Sequence, residues 1–204
     1  MLTISTAKPG DVVRKLRLSL NKGATFSVEM FWDSKHDLDA HALLCHNDGT
    51  GAKVSEMERV LSTYNSKKTN RDGVLVTNPN GSFATPCGTL THSGDALSGD
   101  LADIDEIITV NGAKAPVGVN EIPIFVTIHK ASATGATFGQ VTKAGIRIKD
   151  DTGRVLGEYE LSKEFAQFSA VQAGSFLCNE GGWEFAPVGV GFNADFNGIL
   201  EKFS

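Results

Sequence analysis

Hydrophobic and polar residues alternate along most of this chain with a period of two. The clearest runs cover residues 16–20, 26–32, 38–44, 122–128 and 144–148. Because successive side chains of a β-strand point to opposite faces, such alternation is typical of a strand that buries one face. We therefore predict that each of these five runs forms a half-buried strand.

Turn signals separate the predicted strands and favour an all-β fold. Many short strands punctuated by glycine-containing turns are typical of a β-sandwich or a barrel. Helix signals are few, and the best of them is a capping-type serine, Ser162, which predicts roughly two helical turns over residues 162–168. The turn signals are Asn21-Lys22-Gly23, Asp48-Gly49, Asp72-Gly73, Asn80-Gly81, Asn111-Gly112, Asp151-Thr152-Gly153 and Gly181-Gly182.

The chain shows no linker and no internal repeat, so we predict one domain over residues 1–204. Residues 67–86 are the least regular part and predict a long loop or an additional hairpin. Within this segment, residues 73–77 favour a strand and residues 78–81, with the sequence Asn-Pro-Asn-Gly, favour its turn.

Composition limits the classes of function. Of 204 residues, 19 are Lys or Arg and 24 are Asp or Glu, which gives a net charge of −5. A net acidic chain is a poor candidate for binding nucleic acid, because such binding requires cations against phosphates. The acidic excess is local, since residues 93–106 hold five acids and no base while the rest of the chain is neutral. This concentration of charge predicts a cation nearby.

The sequence also argues against secretion, zinc binding and catalysis. The N-terminus lacks a basic segment followed by an apolar run, and no apolar stretch is long enough to span a bilayer, so we expect a cytoplasmic location. Three widely spaced cysteines argue against a structural zinc site, and His36, His41 and His46 recur every five residues, which would place them on alternating faces of a strand. We therefore predict no zinc site, and surface or capping roles for the five histidines. Hydrolase and phosphate-loop motifs do not occur, so we expect a protein that is not an enzyme.

Three carboxylates lie close together around the start of a predicted strand. Asp37 and Asp39 are two residues apart, so they share a strand face with Cα atoms about 7 Å apart. Asp33 lies in the preceding turn and can fold back towards them. A hard divalent cation such as Ca²⁺, which prefers oxygen ligands, would relieve the mutual repulsion of the three groups. The spacing fits a metal site and a solvated acidic turn equally well.

A second acidic cluster covers residues 94–106, where Gly94 and Gly99 allow a tight loop. Because neighbouring residues of a strand face opposite sides, the five acids of this region cannot all bind one ion. The alternative is a solvated acidic loop before a strand at residues 107–110, but we favour a metal because the first cluster supplies further oxygen ligands. The candidate ligands are Asp95, Asp100, Asp105 and Glu106.

Short motifs distributed along most of the chain match, in order and spacing, those of one protein family. They include Trp32-Asp33, Asp37-Leu38-Asp39-Ala40, Leu61-Ser62-Thr63-Tyr64-Asn65, His92-Ser93-Gly94-Asp95, Asp105-Glu106-Ile107-Ile108 and Gly182-Trp183-Glu184-Phe185. Together they resemble the TerD family of tellurium-resistance proteins over nearly all of residues 15–193. No single motif is specific, and the order and spacing of the whole set carry the resemblance.

The resemblance implies a two-sheet β-sandwich with few short helices that binds Ca²⁺ through acidic loops. The family's two acidic motifs supply the metal ligands. They correspond here to Asp33, Asp37, Asp39, Asp95, Asp105 and Glu106. Two departures bear on the second motif, because Ala96 and Ile104 stand where the family usually has Asn and Asp.

Family members are linked to resistance to tellurite and other stresses, to defence against phage and colicins, and to membrane-associated complexes. The resemblance therefore implies a stress-resistance module that binds protein partners, other TerD-like chains among them, without catalysis. Peripheral membrane association and oligomers are both compatible with it. The alternative is a structural component of a phage virion, in tail or capsid, that uses the sandwich as a tile. In either case residues 67–86 resemble an insertion that could bind a partner.

Overall fold

Two antiparallel β-sheets make up most of the protein. The computed structural model describes residues 16–20, 25–99 and 104–204. Because these residues form mostly strands in two large sheets with a few short helices, the predicted all-β sandwich is confirmed. No described helix is long and apolar enough to cross a lipid bilayer.

Each large sheet contains six strands whose spatial order differs from their order along the chain. The first sheet runs, from edge to edge, through β1 (Leu16–Leu20), β14 (Gly182–Phe192), β13 (Ala170–Asn179), β10 (Glu121–Ile128), β3 (Leu38–Leu43) and β6 (Val60–Leu61). The second sheet runs through β12 (Val155–Glu160), β11 (Thr142–Lys149), β2 (Thr25–Asp33), β9 (Glu106–Asn111), β8 (Leu90–His92) and β7 (Phe83–Ala84). A small third sheet pairs β4 (His46–Asn47) with β5 (Ala52–Lys53).

The helical segments are short. The α-helices are α1 (Ala131–Thr134), α2 (Leu161–Glu164) and α3 (Phe196–Leu200). Single 3₁₀ turns cover Met57–Arg59, Thr63–Asn65, Gly112–Lys114 and Phe138–Gln140.

The two large sheets pack face to face through their apolar side chains. Phe26 of β2 and Phe176 of β13 come from opposite sheets, and their rings stack with centroids 5.3 Å apart. β9 alternates strictly between buried and partly exposed positions, and β2 does so at every position except Glu29. The core between the sheets therefore follows the period of two in the sequence.

β3 and β10 depart from the predicted half-buried pattern, because all six residues of β3 and all eight residues of β10 are buried. A second apolar cluster, separate from the core between the sheets, covers the other face of both strands and includes Leu43 of β3 and Phe125 of β10 together with Phe196 and Ile199 of α3. α3 thus packs against the face of β3 that the alternation assigned to solvent. The ring of His41, which stacks on Phe196, is enclosed as a result.

The helix predicted over residues 162–168 is shorter than expected and uses its serine differently. α2 forms a single turn, and Glu160 occupies its N-cap position. The hydroxyl of Ser162 accepts a hydrogen bond from the backbone N–H of Ala144 in β11 at 2.6 Å, and it donates to the carbonyl oxygen of the same residue at 3.3 Å. The prediction of two turns is wrong because the serine joins α2 to β11 instead of capping a longer helix.

Isolated bridges hold most of residues 67–86, and only the end of this segment forms a regular strand, β7, which pairs with β8. Two isolated bridges take the place of the strand predicted over residues 73–77. They pair Ser66 with Leu75 and Thr77 with Phe83. A Cβ atom built on Gly94 would lie 3.2 Å from the carbonyl oxygen of Gly81, which ends the predicted turn. This segment therefore packs closely against the loop that carries Asp95.

Candidate metal centre

Three carboxylates from two separate parts of the chain converge in the sandwich. Asp37 immediately precedes β3, Asp39 is the second residue of β3, and Asp95 lies in the loop between β8 and β9. One oxygen atom from each carboxylate lies within 4.8 Å of the other two. Since Ca²⁺ binds oxygen at about 2.3–2.6 Å, a single ion among them could contact all three groups.

Asp37 carries a carboxylate oxygen whose bonding capacity is unused. Its Oδ1 atom is buried and has no hydrogen-bond partner among the described residues. Burial raises the pKa of Asp37 to about 7, and repulsion from Asp39 and Asp95 adds to this effect. At neutral pH the group is divided between its neutral and charged forms, and a bound cation would favour the charged form.

Asp39 is buried and is held by two hydroxyl groups. The Oγ1 atom of Thr63 donates to its Oδ1 at 2.7 Å, and the hydroxyl of Tyr64 donates to its Oδ2 at 2.5 Å. Burial raises the pKa of Asp39 and outweighs the lowering effect of these two bonds, so the net shift is upward. The remaining lone pairs of the carboxylate are available for a further ligand.

His129, which directly follows β10, forms hydrogen bonds with Tyr64 and with the backbone of Asp37. Its Nδ1 atom lies 2.7 Å from the hydroxyl oxygen of Tyr64, and its backbone N–H donates to the carbonyl oxygen of Asp37 at 2.8 Å. Because the hydroxyl proton of Tyr64 is directed to Asp39, the hydrogen-bond pattern assigns a proton to Nδ1 of His129. A chain of hydrogen bonds thus runs from His129 through Tyr64 to Asp39.

Glu106 lies outside the three-carboxylate group and links the two sheets. Its side chain is fully buried, and it accepts hydrogen bonds from the backbone N–H groups of Ala40 at 2.9 Å and Ala96 at 3.2 Å. The Nε2 atom of His92 lies 3.3 Å from the same carboxylate. Burial raises the pKa of Glu106, and His92 opposes that shift. These contacts tie β9 to β3 and to the loop that carries Asp95.

The other predicted ligands lie elsewhere. Asp105 accepts a hydrogen bond from the backbone N–H of Trp32 at 2.8 Å, and Asp33 lies 3.7 Å from the ammonium group of Lys143. Neither belongs to the group formed by the three converging carboxylates. The predicted ligand Asp100 lies outside the described residues.

Two of the histidines for which we predicted surface or capping roles are buried. The rings of His41 and His92 are both 0% exposed. The Nε2 atom of His41 lies 2.9 Å from the hydroxyl of Thr127, and its ring stacks on that of Phe196 in α3. Burial holds the pKa of His41 well below its usual value, so the ring is neutral. The prediction is wrong for His41 because α3 covers the face of β3 that carries it, whereas buried His92 accepts a hydrogen bond at Nδ1 from the backbone N–H of Gly94 at 3.1 Å.

Thr63 and Tyr64 are part of this centre although the sequence spacing does not indicate it. They follow Asp39 by 24 and 25 residues, and the 3₁₀ turn after β6 brings them back to it. The available signal is their place in the motif formed by residues 61–65, which carries the family resemblance but implies no role for either residue.

Comparison with known proteins identifies a family model and several relatives. The model described as the TerD domain matches residues 11–203. The chain is 36% identical over 117 residues to General stress protein 16U of Bacillus subtilis, and the match covers 57% of this chain and 61% of that protein. It is 29% identical over 213 residues to Tellurium resistance protein TerD of Serratia marcescens, and that match covers 99% of this chain and 97% of the relative.

Matches with the Bacillus relatives are partial, whereas a solved structure matches almost throughout. The chain spans about 61–62% of the length of General stress protein 16U and of a second B. subtilis relative, Uncharacterized protein YceE. The crystal structure of a homologue of telluride resistance protein (TerD) from Streptomyces coelicolor A3(2) has a TM-score of 0.67 and 19% identity. That likeness covers 89% of this chain and 98% of the other, and it shows that the two share a fold.

Proposed function

Because this chain belongs to the TerD domain family, we propose that it is a calcium-binding module of stress resistance that acts by binding partners. Asp37, Asp39 and Asp95 are the proposed carboxylate ligands. The observation that carries the proposal is their convergence within 4.8 Å, with a buried oxygen of Asp37 that has no partner among the described residues.

The donor set favours calcium over softer metals. All three proposed ligands are carboxylates, and hard cations such as Ca²⁺ and Mg²⁺ prefer oxygen. Ca²⁺ accepts six to eight oxygen ligands in flexible geometry, whereas Mg²⁺ demands a near-ideal octahedron and dehydrates reluctantly. Three carboxylates on a strand and a separate loop suit the less demanding ion, with water completing its shell. When bound, the ion would neutralise the carboxylates and join the Asp95 loop to β3.

The names of the relatives support a role in stress resistance. They include General stress protein 16U and Stress response protein SCP2 of B. subtilis, and Tellurium resistance protein TerD of S. marcescens. A cation that fixes the loop between β8 and β9 would also fix the adjacent segment formed by residues 67–86. We propose that these two loops form the surface that recognises a protein partner in the calcium-loaded state.

Thermal unfolding with and without calcium tests the proposed site. A ligand at 1,000 times its Kd adds about 4 kcal/mol to the free energy of unfolding. For a chain of this size, we expect calcium to raise the Tm of EGTA-treated protein by roughly 8–15 °C, because 1 kcal/mol corresponds to about 2–4 °C. Magnesium at the same concentration is the control and should give a much smaller rise.

The outcome also separates the proposed function from the structural alternative. A calcium-selective rise in Tm would support the module proposed here, and partners should then be sought with the loaded protein. An unchanged Tm with either ion would contradict it and would favour a virion tile, which sedimentation velocity would reveal as a ring or tube.

A further inference from the structure

Two neighbouring residues hold Asp39 at both of its carboxylate oxygens. The hydroxyl of Thr63 donates to Oδ1 and the hydroxyl of Tyr64 donates to Oδ2, at 2.7 and 2.5 Å. Thr63 is only 1% exposed, so water does not compete for its hydroxyl. A carboxylate bound at both oxygens cannot rotate about its Cβ–Cγ bond without breaking two hydrogen bonds, of which the one from Thr63 is buried.

The turn that presents these hydroxyls is itself held in place. Asn65, its last residue, donates from its side-chain amide to the carbonyl oxygens of Met57 and Val60 at 2.7 and 2.8 Å. The side chain of Ser62 accepts from the backbone N–H of Tyr64 at the other end of the turn. The two hydroxyl donors therefore sit on a short element that is anchored at both ends.

Tyr64 is also fixed from its far side. His129 contacts its hydroxyl oxygen at 2.7 Å, and the two rings stack with centroids 5.7 Å apart. Since each carboxylate oxygen has two lone pairs, a hydroxyl on one pair leaves the other directed elsewhere. One oxygen of Asp39 lies within 4.8 Å of oxygens of Asp37 and Asp95, so the carboxylate that the two hydroxyls hold is also the one that approaches the other two acids.

We propose that Thr63 and Tyr64 are positioning residues that set the calcium affinity of the site by orienting the carboxylate of Asp39. This inference rests on the proposed calcium site. Neither residue contacts the ion; both act through Asp39, in the way that outer-shell partners orient metal ligands in other proteins. Removing either hydroxyl would leave the carboxylate free to rotate away from Asp37 and Asp95.

Calcium titration of the full chain by isothermal calorimetry tests the inference. Tyr64→Phe and Thr63→Val each remove one hydroxyl and keep the shape of the side chain close to the original. We expect each variant to bind calcium chloride about tenfold more weakly, since loss of an outer-shell partner typically weakens metal binding by about 10–100-fold. Thr63→Ser retains the hydroxyl and should bind calcium as the unsubstituted protein does.

Tyr159→Phe is the matched control for loss of a tyrosine hydroxyl. The hydroxyl of Tyr159 is buried and has no partner within the described part of the chain, so its removal should leave the calcium Kd unchanged. Circular dichroism before each titration establishes that the variant is folded. A purely structural role for Thr63 and Tyr64 would lower the Tm of the metal-free protein and leave the Kd of the folded molecules as it was.

Each result decides the matter. Tenfold weaker binding in Tyr64→Phe and Thr63→Val, with recovery in Thr63→Ser, would support the inference. Calcium binding by the unsubstituted protein, with a Kd that stays within twofold in both variants, would overturn the inference and leave the proposed function standing. Absence of calcium binding by the unsubstituted protein would overturn both.

Discussion

Replacing Asp37 with Asn should stabilise the metal-free protein at neutral pH and remove most of its response to calcium. Burial and the acidic neighbours raise the pKa of Asp37 to about 7, so the charged form of its carboxyl group is unfavourable in the folded state. Asparagine has nearly the same shape and no charge. The variant therefore avoids the repulsion, but it also lacks the negative charge that would attract a cation.

The sign of the pH dependence follows from the direction of the shift. The unfolded chain has the ordinary Asp pKa of 3.8, and the folded chain holds its proton up to about pH 7. Between these two pH values the folded state binds more protons than the unfolded state. The contribution of Asp37 to the free energy of unfolding therefore falls as the pH rises. Asp37→Asn should equal the unsubstituted metal-free protein near pH 4 and exceed it in stability above pH 7.

The expected gain in the free energy of unfolding of Asp37→Asn is moderate because Asp37 is half-buried. Solvent screens part of the repulsion, so we expect about 1–2 kcal/mol above pH 7. This corresponds to a Tm increase of roughly 2–8 °C for a chain of this size. Melting curves in EGTA from pH 4 to pH 8 measure the effect, and adding calcium at pH 7.5 measures the lost response.

Asp33→Asn is the matched control, because Asp33 belongs to the same acidic motif but pairs with Lys143 outside the three-carboxylate group. This variant should keep the calcium response of the unsubstituted protein. Loss of the response in Asp33→Asn would add Asp33 to the metal shell, as the sequence predicted. An unchanged response in Asp37→Asn would contradict the proposed ligand set.

Glu106→Ala should cause the largest loss of stability. The substitution leaves the backbone N–H groups of Ala40 and Ala96 without their acceptor inside the sandwich, and it leaves a cavity beside His92. A buried donor that loses its acceptor costs about 1–3 kcal/mol. With two such donors and a cavity, we expect a loss of about 3–5 kcal/mol.

Urea unfolding of the metal-free protein measures this loss without contribution from calcium. Glu158→Ala provides the control, since Glu158 is a partly exposed acid whose carboxylate lies 2.8 Å from the guanidinium of Arg147. A surface ion pair of this kind is worth at most about 1 kcal/mol. Similar losses for the two variants would show that Glu106 does not hold the sheets together.

The fold could be predicted where burial depends only on the two faces of a strand. β2 has the predicted alternation at every position except Glu29, because one of its faces lies on the core between the sheets. β3 does not, because α3 covers its other face, and that helix lies more than 150 residues further along the chain. Ser162 is likewise of a residue type that often caps helices, but its hydroxyl instead accepts a hydrogen bond from the backbone of Ala144 in β11.

The candidate site was predictable in part for the same reason. Asp37 and Asp39 share a strand parity, and the two lie together in the structure. The same rule, applied to β9, places Glu106 on the buried face with Ile108 and Val110, which agrees with its role between the sheets. The second acidic motif is divided in the structure: Asp95 joins the three-carboxylate group, and Asp105 accepts a hydrogen bond from the backbone of Trp32. The spacing of these residues along the chain does not predict this division.

The sequence by itself determined the all-β sandwich, the family and the two acidic regions, since each depends on residues close together along the chain or on their order. Only the tertiary structure decided which acids converge, which one links the sheets, and which hydroxyls hold Asp39. Those assignments depend on burial and on hydrogen bonds between residues 24 to 66 positions apart. The energy of a buried charge is set by the groups that enclose it, and folding brings those groups from distant parts of the chain.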